Sequence, residues 1–267
     1  MSERISSWEK IDTRQQADLE NIGRRALSLV DRKYGRGLDR LEAGEQKLTF
    51  HNGEHSRMVG WAAMRMCEKL ELPSEYQHLA RAIGYTHDII QLKGVGTNEA
   101  ESAAWLKASM DHFPVAIKAM AGKAILGTTP LFENGIMVGQ RATELDYESI
   151  LEETLAKSVA CADLSELFSP IGPYMSHQLL KEFNPGADQD KLIEKVVGFQ
   201  RNQCELVERY RYPLAEGEVL FGSYRSDVVD FTQETLRNLE SGAIESWEEL
   251  VKRDLLFKRK LETDAAH

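Results

Sequence analysis

The stretch "FHNGEHSRMVGW", Phe50 to Trp61, sets two histidines four residues apart at the start of a run whose apolar residues repeat with helical spacing. His55, Val59, Ala62 and Met66 follow one another at intervals of four, three and four residues, the period of one face of an α-helix. His55 is thereby turned to the apolar side, and His51 lies one turn earlier. In isolation such a pair reads most simply as a structural feature or a helix cap, so the rest of the chain decides its meaning.

Working outward, the same period recurs nearly everywhere, and no alternating strand pattern stands out. It predicts helices at about Arg14–Lys33, Glu54–Leu70, Ser74–Gln91, Glu99–Asp111, Val115–Leu126, Glu148–Phe168, Ala187–Arg211, Ser226–Leu239 and Ser246–Glu262. Breaks fall where turn chemistry does, at "LPS" (72–74), "KGVGTN" (93–98), "TTPLFENG" (128–135), "SPIGP" (169–173) and "NPG" (184–186). None is long enough to link separate domains. The expected fold is all-α, a single helical bundle, with "RYPLAEGEVLFGSYRSD" (211–227) as a loop or short connecting elements. No internal repeat or low-complexity tract is present.

With 267 residues, 42% hydrophobic and 28% charged, the chain can bury a sizeable core and is neither disordered nor collagenous. No run approaches the roughly 18 apolar residues of a membrane span, and "MSERISSWEKIDTRQQ" is too polar for a signal peptide, so a cytoplasmic location is expected. Cys67, Cys161 and Cys204, odd in number and set among apolar residues, read as reduced core thiols. The net charge of −10 disfavours duplex nucleic acid or an anionic membrane as partner, because both reward a basic surface. A small anionic substrate remains compatible, since a bound metal attracts it locally.

Two further pieces match the first. In "AIGYTHDIIQ" (82–91), Leu79, Ile83, His87 and Ile90 mark one helical face, and Asp88 sits beside it. In "SVACADLSELFSP" (158–170), Ala156, Val159, Ala160, Asp163 and Leu167 share a face. A carboxylate on an apolar stripe is costly to bury unless it is paired or bound to a cation. Three helices thus each turn a ligand-type side chain inward. One ion held by His55, His87, Asp88 and Asp163 accounts for all three, and two nitrogens with two oxygens suit zinc, iron or manganese better than magnesium. A buried His–Asp hydrogen-bond network without metal accounts for them equally.

The three pieces in this order resemble the HD-domain superfamily of metal-dependent phosphohydrolases, whose pattern is a histidine, a His–Asp doublet and a distant aspartate on helices of one bundle. "FHNGEH", "THD" and "CADLSEL" are similar to motifs of the cyclic-nucleotide phosphodiesterases of that superfamily, and "HDIIQLKGVGTNEAESAAWL" to a group of small metal-dependent HD proteins. The resemblance spans Phe50 to Phe168 and implies an HD core at about residues 45–170, flanked by helices in 1–44 and 171–267. It implies His55, His87, Asp88 and Asp163 as ligands of one or two divalent ions (Mn, Fe, Zn, Mg or Co). Asp88 would be the bridge if there are two, and His51 the acid that protonates the leaving oxygen. The implied chemistry is hydrolysis of a small phosphomonoester or phosphodiester by activated water.

Departures shape that expectation. The phosphodiesterases carry a histidine three residues after the doublet aspartate where this chain has Gln91, which points to a mononuclear or weakly dinuclear site. The HD-GYP signature and the extra histidines of diiron oxygenases on this scaffold are missing. An iron oxygenase and a non-catalytic metal-binding or regulatory protein are the rival readings. Oligomeric state leaves no trace in the pattern.

Other candidates are weighed against plainer roles. Lys93 is a candidate contact for an anionic substrate, against a solvated loop lysine. Gly94 to Gly96 reads as a turn, Asn98 as the cap of the following helix, and Asn98 with Glu99 as alternative orienting groups for the ligands. His78, His112, His177 and His267 lack neighbours at ligand spacing and read as non-catalytic. Trp61, Trp105, Met58, Met64 and Met66 read as core or packing residues, and "ESWEELVKRD" (245–254) as a solvated amphipathic face.

Overall fold

The computed structural model describes residues 10–35 and 48–265. The polar N-terminal stretch up to residue 9, the start of the expected core at 45–47, and His267 lie outside them. The chain forms a bundle of eleven α-helices among the described residues: α1 (Thr13–Tyr34), α2 (Gly53–Lys69), α3 (Ser74–Thr86), α4 (Thr97–Ser109), α5 (Val115–Gly127), α6 (Ile150–Asp163), α7 (Gly172–Phe183), α8 (Gln189–Arg209), α9 (Ala215–Phe221), α10 (Arg225–Glu240) and α11 (Trp247–Asp264). The all-α expectation holds. No described helix is long and apolar enough to cross a membrane. All three cysteines are buried free thiols.

Side-chain caps start five of these helices: Asp12, Asn52, Ser149, Asp188 and Ser246 each accept from a backbone N–H of the first turn. Helices α1 to α6 enclose the largest core, with Leu19, Val59, Leu79, Ile83, Ile125 and Val159 buried at its centre. A second cluster joins α7, α8, α10 and α11 through Leu180, Val196, Leu239 and Trp247. Between them Met66, Phe168, Tyr210 and Tyr212 fill the seam.

The contact that positions the site is between α2 and α3. The four-residue connection 70–73 folds α3 back along α2. Their backbones then meet at two glycines, and a Cβ on Gly84 would stand 2.6 Å from the Gly60 Cα. Such an approach requires the absence of both side chains. It brings the start of α2, with His55, beside the end of α3, with His87.

Several expectations need correction. α3 stops at Thr86 and α6 at Asp163, so His87 and Asp88 lie in the turn after α3, and Asp163 is the last residue of its helix. Leu92 at φ 73° and Gly94 at φ 102° belong to the non-helical connection to α4. Helix α7 was hidden by its Gly-Pro start, although proline is tolerated in a first turn, whose N–H groups need no partner within the helix. The stretch 128–140 contains a hairpin, β1 (Pro130–Glu133) antiparallel to β2 (Ile136–Gln140). Its turn is Asn134-Gly135, both at positive φ, the pair that favours tight hairpins. Trp61 is 51% exposed, under the Arg81 guanidinium, rather than core. Asp254, assigned to a solvated face, is wholly buried against His177, whose Nδ1 lies 2.7 Å from it.

Candidate metal centre

Four side chains from three helix ends converge. Asn52 caps α2, its Oδ1 accepting from the Glu54 and His55 amides at 2.9 and 3.3 Å, which fixes the first turn and His55 with it. His87 closes α3, and its Nδ1 lies 2.7 Å from the Gly84 carbonyl. A carbonyl only accepts, so Nδ1 carries the proton and a neutral His87 presents a lone pair at Nε2. That Nε2 stands 3.0 Å from Asp88 Oδ2 and 3.1 Å from Asp163 Oδ1. His55 Nε2 stands 3.4 Å from each of the same two oxygens, while its Nδ1 faces Glu166 Oε2 at 3.6 Å.

These four residues could hold a metal ion, since their donor atoms all lie within 4.8 Å of one another. The orphaned atoms test the fit: neither ring nitrogen of His55 makes a hydrogen bond although the side chain is 1% exposed, and buried Glu166 Oε2 has none either. A buried imidazole without a partner is expensive unless something else satisfies it. Donors about 3.4 Å apart are what bonds of about 2.1 Å at tetrahedral angles give, close to the nitrogen–oxygen separations here. An acceptor on Nδ1 is the usual device that aims Nε2 at a metal; the Gly84 carbonyl does this for His87, while Glu166 faces His55 Nδ1 beyond hydrogen-bond length.

Electrostatics fit either occupant of the cluster. Burial alone would push His87 down, but the Asp88 charge and the bonds to Asp163 and Asp88 raise it to about 10. His55 is likewise raised well above its ordinary value against its burial, through Asp163, Asp88 and Glu166. Burial would raise both carboxylates, yet the His87 charge and neighbouring imidazoles hold Asp88 well below the usual carboxylate range, and the facing His55 and His87 rings lower Asp163. The cluster thus demands positive charge, supplied either by two protons or by one divalent cation.

The remaining oxygen of each aspartate is held by a glutamine. Gln91 Nε2 donates to Asp88 Oδ1 at 2.6 Å, and Gln140 Nε2 donates to Asp163 Oδ2 at 2.8 Å. Gln140 ends β2, is 1% exposed, and its Oε1 accepts from the Tyr210 hydroxyl at 3.1 Å. Gln91 Oε1 accepts from Asn98 Nδ2 at 3.2 Å, and Asn98 Oδ1 accepts from the Lys93 backbone N–H at 2.9 Å. Asn98 is therefore not the cap of α4; it sits inside the first turn, and the Glu99 carboxylate takes the free Gly96 N–H at 2.6 Å. The Gly94 to Gly96 turn is as expected, with both glycines at positive φ.

His51 stands at the edge of the cluster, its side chain 23% exposed and its ring 5.8 Å from that of His55. Its Nδ1 lies 2.5 Å from Glu182 Oε1, and the other Glu182 oxygen accepts the Phe50 and His51 amides. Burial lowers its pKa, but the Asp88 charge and the Glu182 bond outweigh that and raise it. Lys93 does not join the group: it is half exposed, and its ammonium pairs with Glu101 at 2.5 Å.

Glu166, Glu182, Gln140 and Tyr210 were missed from the sequence. Glu166, three residues after Asp163, carried a readable signal in its spacing. Glu182 and Gln140 sit on the unread helix and hairpin, 131 and 23 residues from the groups they hold. No protein-family model, curated protein or solved structure matches the chain.

Proposed function

We propose that the chain is a divalent-metal-dependent phosphohydrolase of the HD type, acting on a small phosphomonoester or phosphodiester. The observation that carries this reading is the convergence of His55, His87, Asp88 and Asp163, with both Nδ1 atoms turned to outer acceptors and both Nε2 atoms turned inward. Two imidazoles and two carboxylates favour zinc, iron or manganese. When bound, such an ion supplies an acidified water and neutralises phosphoryl oxygens.

The chain's own groups do the rest. His55, His87, Asp88 and Asp163 hold the ion, and Glu166 orients His55. Glu182 fixes the Nδ1 proton of His51, leaving Nε2 as the position that exchanges a proton. The Glu182 carboxylate against Nδ1 favours the protonated form of His51, the form that an acid delivering a proton to a leaving oxygen needs. The reading is tested with a panel of phosphomonoesters and phosphodiesters supplied with Mn, Fe, Zn, Mg or Co. Turnover lost in His51→Ala with metal retained is expected. A wild type that holds metal and hydrolyses nothing is a binding protein instead.

A further inference from the structure

We propose that Gln91 sets the centre to hold one ion rather than two. The inference rests on the metal-centre reading above and goes beyond it to the number of ions. Asp88 Oδ2 and Asp163 Oδ1 point inward at the two imidazoles, and each outer oxygen is engaged by an amide N–H. Both carboxylates therefore offer one inward oxygen apiece, and the inner group has four donors.

The direction of the Gln91 amide is fixed from outside. The Lys93 backbone N–H can only donate, so Asn98 must turn Oδ1 to it and Nδ2 to Gln91. Gln91 must then turn Oε1 to Asn98 and Nε2 to Asp88. A second cation approaching Asp88 Oδ1 meets the positive end of that amide. To accept the cation, Gln91 would have to reverse and break its bond from Asn98. Gln140 instead steadies Asp163, its Nε2 donating to the Asp163 carboxylate and the Thr128 carbonyl.

The test is titration of the full chain with Mn(II), read as ions bound per chain and by electron paramagnetic resonance. Wild type saturates at one ion with the spectrum of isolated Mn(II). Gln91→Glu, which replaces the N–H donor with a second carboxylate beside Asp88, takes two ions with a spin-coupled signal. Asn98→Asp keeps the acceptor for Lys93 but removes the donor that holds Gln91, and also gains a second, weaker ion without touching the site. Gln140→Leu stays at one ion with affinity about 10- to 100-fold weaker. Two ions in wild type, or a single ion at unchanged affinity in both Gln91→Glu and Asn98→Asp, overturns the proposal while the metal centre stands. No ion in wild type overturns the metal-centre reading and the proposal with it.

Discussion

At the scale of single residues, the decisive feature is how each inward histidine is tied from behind. His87 leans on a backbone carbonyl and His55 on Glu166, so the two rings differ in how firmly they are aimed. Replacing Glu166 with Gln should therefore weaken metal binding about 10- to 100-fold without unfolding the protein, measurable by competition with a metallochromic chelator. Glu182 does different work on His51. Glu182→Gln should leave metal content unchanged and reduce turnover by about 10²-fold or more. Because an acid must be protonated, activity falls as pH rises through the His51 pKa. Removing the Glu182 charge lowers that pKa, so the alkaline limb of the pH–rate profile should move to lower pH. An unmoved limb would deny the pair its role. His55 and Asp163 were legible because an apolar stripe exposes a misplaced polar residue, and His87 and Asp88, which lie in the turn after α3, because they form an adjacent pair of ligand types. Glu182 was not, because its partner is chosen by tertiary packing 131 residues away.

At the scale of elements, close approach of α2 and α3 makes the site. Gly84→Ala would push a methyl group against the Gly60 backbone, which has no flexible end to yield. A loss of about 1–3 kcal/mol in chemical denaturation is expected, with weaker metal retention as His55 and His87 separate. Helix α7 is the second key element, since it carries both Glu182 and His177. His177 ties α7 to Asp254 of α11 and to Gln200 of α8, with both ring nitrogens facing acceptors. Removing His177 strands the buried Asp254 carboxylate, so His177→Ala should cost about 3–5 kcal/mol. Burial lowers the pKa of His177, but the Asp254 charge and the bonds it donates to both partners raise it overall. Its contribution is thus complete below the unfolded value of about 6.5 and is lost as pH rises through the higher folded value. The stability difference between wild type and His177→Asn should shrink over that alkaline window; a constant difference would contradict the charged pair. Helical period located most of these elements, yet could not show α7, whose Gly-Pro opening mimics a break. It was equally blind to a hairpin with strands of four and five residues, too short for alternation to register. Only the Asn134-Gly135 turn announced it.

At the scale of the whole molecule, two helical layers meet at the candidate centre. α1 to α6 supply the four inward donors, whereas α7 supplies Glu182 and α8's C-cap supplies Tyr210 behind Gln140. The flanking helices are thus part of the site's support. The resemblance, which implied a core at about residues 45–170 within one domain, gave no sign of this dependence. A bound ion should stabilise the entire fold, by about 2.7 kcal/mol at a hundredfold excess over its Kd. A chelator should lower the melting temperature of wild type and leave that of Asp163→Ala unchanged.

The most direct measurement is elemental analysis of the purified protein beside His55→Ala and Asp163→Ala, each after exposure to Mn, Fe and Zn and removal of excess ion. Near-stoichiometric metal in wild type and its loss in both folded variants are the expected result. Equal metal in all three, or none in wild type after supplementation, would contradict it and leave the cluster as a hydrogen-bonded His–Asp network.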